Sequence, residues 1–247
     1  MAALLMAAMS LTLPLAAEAQ QCVVHTGLGS IQGFQGDGGL CGFRGIPYAK
    51  PPIADLRWRP PVAANGWKGT LDGRKFGSTC IQNFQDGWNT IQGRLNTSED
   101  CLYLNVVAPL PTAGRLHPVV VYFHAGEFDY GAAADRESDW PFFAPDVVLV
   151  TPNSRLGVLG YLGGEALRSR SAAGDTGHYG IQDQRLALRW VRDHVSSFGG
   201  DPSNVAIMGE SSGGTSVSVH LTSKASWGLF HKAILESPGL TQVHGRA

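Results

Sequence analysis

Val205-Ala206-Ile207-Met208-Gly209-Glu210-Ser211-Ser212-Gly213-Gly214 reads as a buried strand that runs into a Gly-x-Ser-x-Gly turn and then into a helix of small residues, Gly214 to Leu221. A serine hydroxyl is a poor nucleophile unless a tight bend pushes it out beside a base and in front of fixed N–H donors. Gly209 and Gly213 leave room for that bend, since side chains there would strike the adjoining strand and helix. The five-residue pattern arises easily in a chain with 32 glycines, so the strand before it and the helix after it carry the argument.

Outward from this turn, the chain after residue 102 alternates apolar strands with helices. Leu102–Ala108, Val119–His124, Val147–Pro152, Val205–Gly209 and Ala233–Glu236 are strand candidates, apolar enough to be buried on both faces. A helix is predicted over about 182–198, with Ala187, Trp190, Val191, Val195 and Phe198 on one face. Gly199-Gly200-Asp201-Pro202 then stops it. Such alternation predicts an α/β layered domain with a mostly parallel central sheet flanked by helices. Sites on such sheets lie at the carboxyl ends of strands, where Ser211 and His124 fall. Before this region, residues 23–35 resemble a short strand pair with glycine turns, and 43–67 are rich in Pro, Trp and Arg and irregular.

The 247 residues suffice for one domain, or for one large domain cut short. A net charge of −1 offers no basic field for nucleic acid. Residues 1–19 are almost wholly apolar and end in Ala17-Glu18-Ala19, a cleavage pattern that predicts a signal peptide and a secreted chain. A membrane anchor is the alternative, although the run is short for a span, and no later segment is apolar enough for stable membrane insertion. Cys22, Cys41, Cys80 and Cys101 form an even set that favours disulfides in three possible connectivities. Without a Cys-x-x-Cys pair no structural metal is expected, and no cofactor is implied. Asn96-Thr97-Ser98 is a candidate glycosylation sequon.

Several ordered blocks then resemble the type-B carboxylesterase and cholinesterase-like family of α/β-hydrolases. They are Phe43-Arg44-Gly45-Ile46-Pro47-Tyr48-Ala49 with Leu56-Arg57-Trp58, Glu99-Asp100-Cys101-Leu102-Tyr103-Leu104-Asn105, Asn153-Ser154-Arg155-Leu156-Gly157, Asp183-Gln184-Arg185-Leu186-Ala187-Leu188 and Phe198-Gly199-Gly200-Asp201-Pro202. The resemblance covers about residues 23–240 and implies an α/β-hydrolase fold acting on small-molecule esters. It implies Ser211 as the nucleophile that becomes acylated, with the N–H groups of Gly126, Glu127 and Ser212 as the oxyanion hole. Losing one such donor costs about 2.7–4 kcal/mol in the transition state. It also implies a Cys80–Cys101 disulfide and leaves the pairing of Cys22 and Cys41 open. His124 is expected to brace the oxyanion loop, Glu210 to be a structural acid and Trp88 to pack, while Asp129-Tyr130 and Phe142-Phe143 are candidates to line the gorge.

The family loop reads Gly-Gly-Gly or Gly-Gly-small where this chain has Ala125-Gly126-Glu127, so a positive φ at Ala125 would add strain of about 1–2 kcal/mol. Glu127 must turn its carboxylate away from the charge its own N–H would stabilise. Triad order on this fold is Ser, then acid, then His. After Ser211 the candidates are His220, His231, His244 and Glu236, and none fits the family role. His220, nine residues along the helix, sits about 13 Å up the axis. The resemblance therefore implies the N-terminal part of a carboxylesterase domain over 20–247, truncated after the elbow region, with triad acid and histidine absent. The alternatives are a catalytically inactive binding protein and a half-domain completed by another chain. Oligomeric state is not read from the sequence.

Overall fold

The computed structural model describes residues 22–82, 96–109, 114–135, 146–171 and 174–239. The expected signal peptide, Trp88, Phe142-Phe143 and His244 lie outside the described residues. In chain order the early strands are β1 (Val23–Thr26), β2 (Gly29–Gln32), β3 (Phe34–Gln35), β4 (Leu40–Pro47), β5 (Thr70–Asp72), β6 (Thr79–Cys80) and β7 (Thr97–Ser98). The central strands follow as β8 (Tyr103–Pro109), β9 (His117–Phe123), β10 (Val148–Pro152), β11 (Gly200–Glu210) and β12 (Lys232–Glu236). The helices are α1 (Gly157–Tyr161), α2 (Glu165–Arg168), α3 (Tyr179–His194) and α4 (Ser212–Thr222).

The large sheet has the order β12-β11-β9-β10-β8-β4-β3. Its β12–β11, β11–β9 and β9–β10 pairings are parallel, while β10–β8, β8–β4 and β4–β3 are antiparallel. The sheet is therefore mixed. The expected parallel pairing occupies the half that carries the elbow, and the N-terminal hairpins supply an antiparallel half. β4 is the strand that the sequence hid, because Gly42, Arg44, Gly45 and Pro47 break its apolar run.

The main core lies between one face of this sheet and α3. Val119, Val121, Val205 and Ile207 are fully buried there, with Ala187, Leu188 and Val191 packed from the helix. The other face carries a smaller cluster of Leu40, Val107, Tyr122 and Leu149, flanked by half-buried Val120 and Met208. α3 ends as its sequence predicts. A 3-10 turn over Val195–Phe198 leads into Gly199, whose φ of +77° is the left-handed cap that glycine supplies without strain.

Two successive hairpins also settle the cysteines. β1 pairs with β2 so that Val23 faces Gln32, and β3 pairs with β4 so that Gln35 faces Cys41. This folds Cys22 back onto Cys41, and the two form a disulfide with a Cα separation of 5.6 Å. The pairing left open by the sequence is thus closed by the topology. Cys80 and Cys101 form the expected second bridge, Cα to Cα 4.9 Å.

Candidate active site

Ser211 follows the last residue of β11 and caps α4, with φ +55° and ψ −121°. A β-carbon at positive φ is costly, and this is the strained strand-to-helix turn that the Gly-x-Ser-x-Gly pattern predicts. Its backbone N–H continues the sheet ladder by donating to the Glu236 carbonyl at 2.9 Å. Gly209 and Gly213 face each other across the bend. A Cβ on Gly209 would lie 2.3 Å from the Gly213 carbonyl carbon, so no side chain fits there.

Gly213 also touches the second loop. A Cβ there would meet the Phe123 carbonyl oxygen at 2.1 Å and that of His124 at 3.0 Å. The cause is register: Gly209 pairs with Phe123, so β9 and β11 end side by side and release both loops at the same level. The sequence-predicted Ser211, Ser212, Gly126 and Glu127 are therefore on neighbouring loops at one end of the sheet.

The loop after β9 is a tight turn. The Asp129 and Tyr130 N–H groups both donate to the Gly126 carbonyl, each at 2.9 Å. Gly126 has φ +118°, and a Cβ there would fall 2.0 Å from the Tyr130 oxygen. The expectation of strain at Ala125 is corrected, because the left-handed residues are Glu127 (φ +55°) and Phe128 (φ +65°), not Ala125. The turn closes on the Gly126 carbonyl, which places the positive φ at Gly126, Glu127 and Phe128. Glu127 is exposed, whereas Gly126 is buried.

His124 braces this loop as expected, its Nδ1 donating to the Ala125 carbonyl at 2.7 Å. Two further supports gave no sequence signal. Gln82 clamps Gly131 from both sides, its amide nitrogen donating to the Gly131 carbonyl and its oxygen accepting from the Gly131 N–H. Buried Asn153 accepts from the Ala133 N–H at 2.8 Å and donates to the Ser78 and Cys101 carbonyls. The Cys80–Cys101 bridge is thereby tied to the loop. Asn153 appeared in a family block, but its role is visible only in three dimensions.

The described histidines after Ser211 are committed elsewhere. His220 is buried, with Nε2 on the Gln184 amide oxygen at 3.1 Å and Nδ1 on the Ser226 hydroxyl at 2.9 Å. An amide oxygen only accepts, so Nε2 carries the proton and Nδ1 accepts from Ser226. Burial, aided by the charge of Arg185, pushes its pKa down to about 3. The chain of bonds continues from Gln184 to the Ser216 hydroxyl and from there to the Ser212 carbonyl, bracing α4 behind the elbow. Exposed His231 accepts at Nδ1 from the Val205 N–H at 3.2 Å, halfway along β11 and six residues before Ser211. Asn96 is exposed just before β7, as a glycan acceptor must be.

An open cleft of about 490 Å³ adjoins the loop, lined by Arg57, Trp58, Glu99, Asp129, Leu156 and Val158 among others. Arg57 and Glu99 neutralise each other through a bidentate contact at 2.5 and 2.6 Å. No group of three or more His, Cys, Asp or Glu residues suited to a metal occurs among the described residues. Nor is any described helix long and apolar enough to cross a membrane.

The architecture, a mixed sheet with a strained serine turn at the carboxyl end of a parallel strand, defines an α/β-hydrolase. Comparison with known proteins makes this specific. The model of the carboxylesterase family matches residues 20–244, and the chain belongs to that family. It is 41% identical over 235 residues to a fumonisin B1 esterase of Sphingopyxis macrogoltabida, covering 93% of this chain and 42% of that protein. To a para-nitrobenzyl esterase of Bacillus subtilis (strain 168) it is 40% identical over 217 residues, covering 87% and 43%. Among solved structures, a PNB esterase superposes with a TM-score of 0.77 at 38% identity, over 89% of this chain and 44% of that one. The chain spans less than half the length of the curated relatives it matches.

Proposed function

We propose that this chain carries the acylation half of a carboxylic ester hydrolase, with Ser211 as nucleophile. The Ser211 oxygen attacks the ester carbonyl carbon and its proton passes to a base. The tetrahedral oxyanion is held by the N–H groups of Gly126, Glu127 and Ser212, and the alcohol then leaves an acyl-serine. The observation that carries this reading is the strained Ser211 turn lying against the loop after β9, through the contact of Gly213 with the Phe123 and His124 carbonyls. Since His220 and His231 are engaged elsewhere, the base comes from outside the described residues. The substrates are small esters, and the two disulfides suit an oxidising, extracellular setting.

The test is active-site labelling with a neutral 4-nitrophenyl alkylphosphonate followed by intact mass. One adduct is expected on the native chain and none on Ser211→Ala. Acylation and deacylation both draw on a base, so labelling by the described residues alone is expected to be slow and is followed to completion, and ester turnover is expected to be slower still. Failure to label, or an adduct that survives Ser211→Ala, would sink the reading in favour of a non-catalytic binding protein.

A further inference from the structure

We infer that Glu127 is a specificity-determining residue, setting the charge of the esters that can react at Ser211: its carboxylate disfavours acyl or alcohol groups that bear negative charge and favours cationic ones. The inference rests on the reading of Ser211 as nucleophile and of the loop after β9 as oxyanion hole.

The argument begins with covalent geometry. The Glu127 carboxylate is tethered to its own N–H through a short run of bonds, each about 1.5 Å, so no rotamer carries it more than roughly 5 Å away. An oxyanion bound to that N–H sits about 3 Å from the nitrogen. The fixed charge is then about 4–8 Å from the reacting oxygen whichever way the side chain turns. Glycine, or any small neutral residue, would present no such charge, so the effect belongs to this residue rather than to the loop.

The backbone holds the side chain in that position. Glu127 has φ +55° and Phe128 φ +65°. The turn around them is pinned by the Asp129 and Tyr130 N–H groups on the Gly126 carbonyl, and by the Gly157 N–H on the Phe128 carbonyl at 2.7 Å. Exposed Glu127 makes no ion pair with a cation among the described residues. Two other carboxylates, on this loop and at the elbow, carry the same sign. Asp129 lines the adjoining cleft, where Arg57 is already neutralised by Glu99, and half-buried Glu210 precedes the nucleophile. For a substrate charge held about 6 Å from this carboxylate, the interaction of two unit charges changes a rate by roughly threefold in a water-like medium and roughly a hundredfold at an effective dielectric of 20.

Three 4-nitrophenyl phosphonates of equal chain length, ending in a trimethylammonium, a methyl and a carboxylate group, test this on the full chain. Labelling of Ser211 is followed by intact mass, at low salt and in 0.5 M NaCl. The expected order is cationic, then neutral, then anionic, with a spread of about tenfold or more that narrows in salt. Glu127→Gln, which keeps the side-chain shape, is expected to speed the anionic probe most and to shrink the spread. Glu127→Gly, which also relieves the positive φ, serves as the second variant should the amide fold poorly. Equal rates for all three probes on the native chain overturn the inference while leaving Ser211 as the nucleophile. A spread that persists unchanged in both variants overturns the role of Glu127. Absence of labelling by every probe overturns the underlying assignment, and the inference with it.

Discussion

At the residue scale, Ser211, Gly209 and Gly213 were legible because a backbone that must bend sharply restricts sequence severely, and glycine shows where. Glu127 was half legible. The departure from glycine stood out, but which residue takes the positive φ depends on the turn closing at the Gly126 carbonyl, a tertiary fact. Gln82 was not legible at all, since a clamp made by a lone side chain leaves no pattern. His220 shows how a residue can have the right chemistry in the wrong place. Its Nδ1 accepts a bond and its environment opposes charge, so it is a buried neutral spacer. Its pKa is lowered in the folded state to about 3 from an ordinary value near 6.5, so the unfolded chain takes up the proton first on acidification. Its neutral form therefore costs nothing above about pH 6.5, and stability is lost as pH falls from there toward 3, by about 1.4 kcal/mol per pH unit. The variant His220→Gln, which cannot charge, is expected to be somewhat less stable at pH 7 and yet to lose less between pH 7 and 5. Urea unfolding at the two pH values measures both.

At the element scale, α3 and the parallel strands were readable because each answers to a single period, 3.6 in the helix and continuous apolarity in the strands. β4 was not, because its Gly42, Arg44, Gly45 and Pro47 are tolerated only by pairing with β8 and β3, which the local sequence does not announce. The same hairpins account for the Cys22–Cys41 bridge, which closes a separation of 19 residues, as Cys80–Cys101 closes one of 21. In the chain-entropy account a loop of this size stabilises by roughly 3 kcal/mol. Replacing Cys22 and Cys41 together by alanine is expected to lower unfolding free energy by about that amount. Because this bridge ties β1 to β4, far along the sheet from the elbow, phosphonate labelling at 20 °C should be retained. Denaturant titration and the labelling assay separate the two effects. A second brace at this scale is the buried pair of Arg155 and Asp183, joined by side-chain bonds of 2.7 and 2.8 Å and by the Arg155 N–H on the same carboxylate. Burial pushes the Asp183 carboxyl up, and Arg155 is what offsets that cost.

At the scale of the whole molecule, β12 and β3 are the outer strands of the large sheet among the described residues. β12 ends the order with every second residue exposed, and Ile234 is 43% accessible. The sequence made Ala233–Glu236 a strand correctly, but its apolar character suggested burial on both faces, and no described strand lies beyond it. This strand holds the Ser211 N–H through the Glu236 carbonyl. Any movement of β12 would thus reach the serine without passing through the core at all. The seat of the nucleophile is in this sense rigged to β12, and a pull on that strand is felt at Ser211.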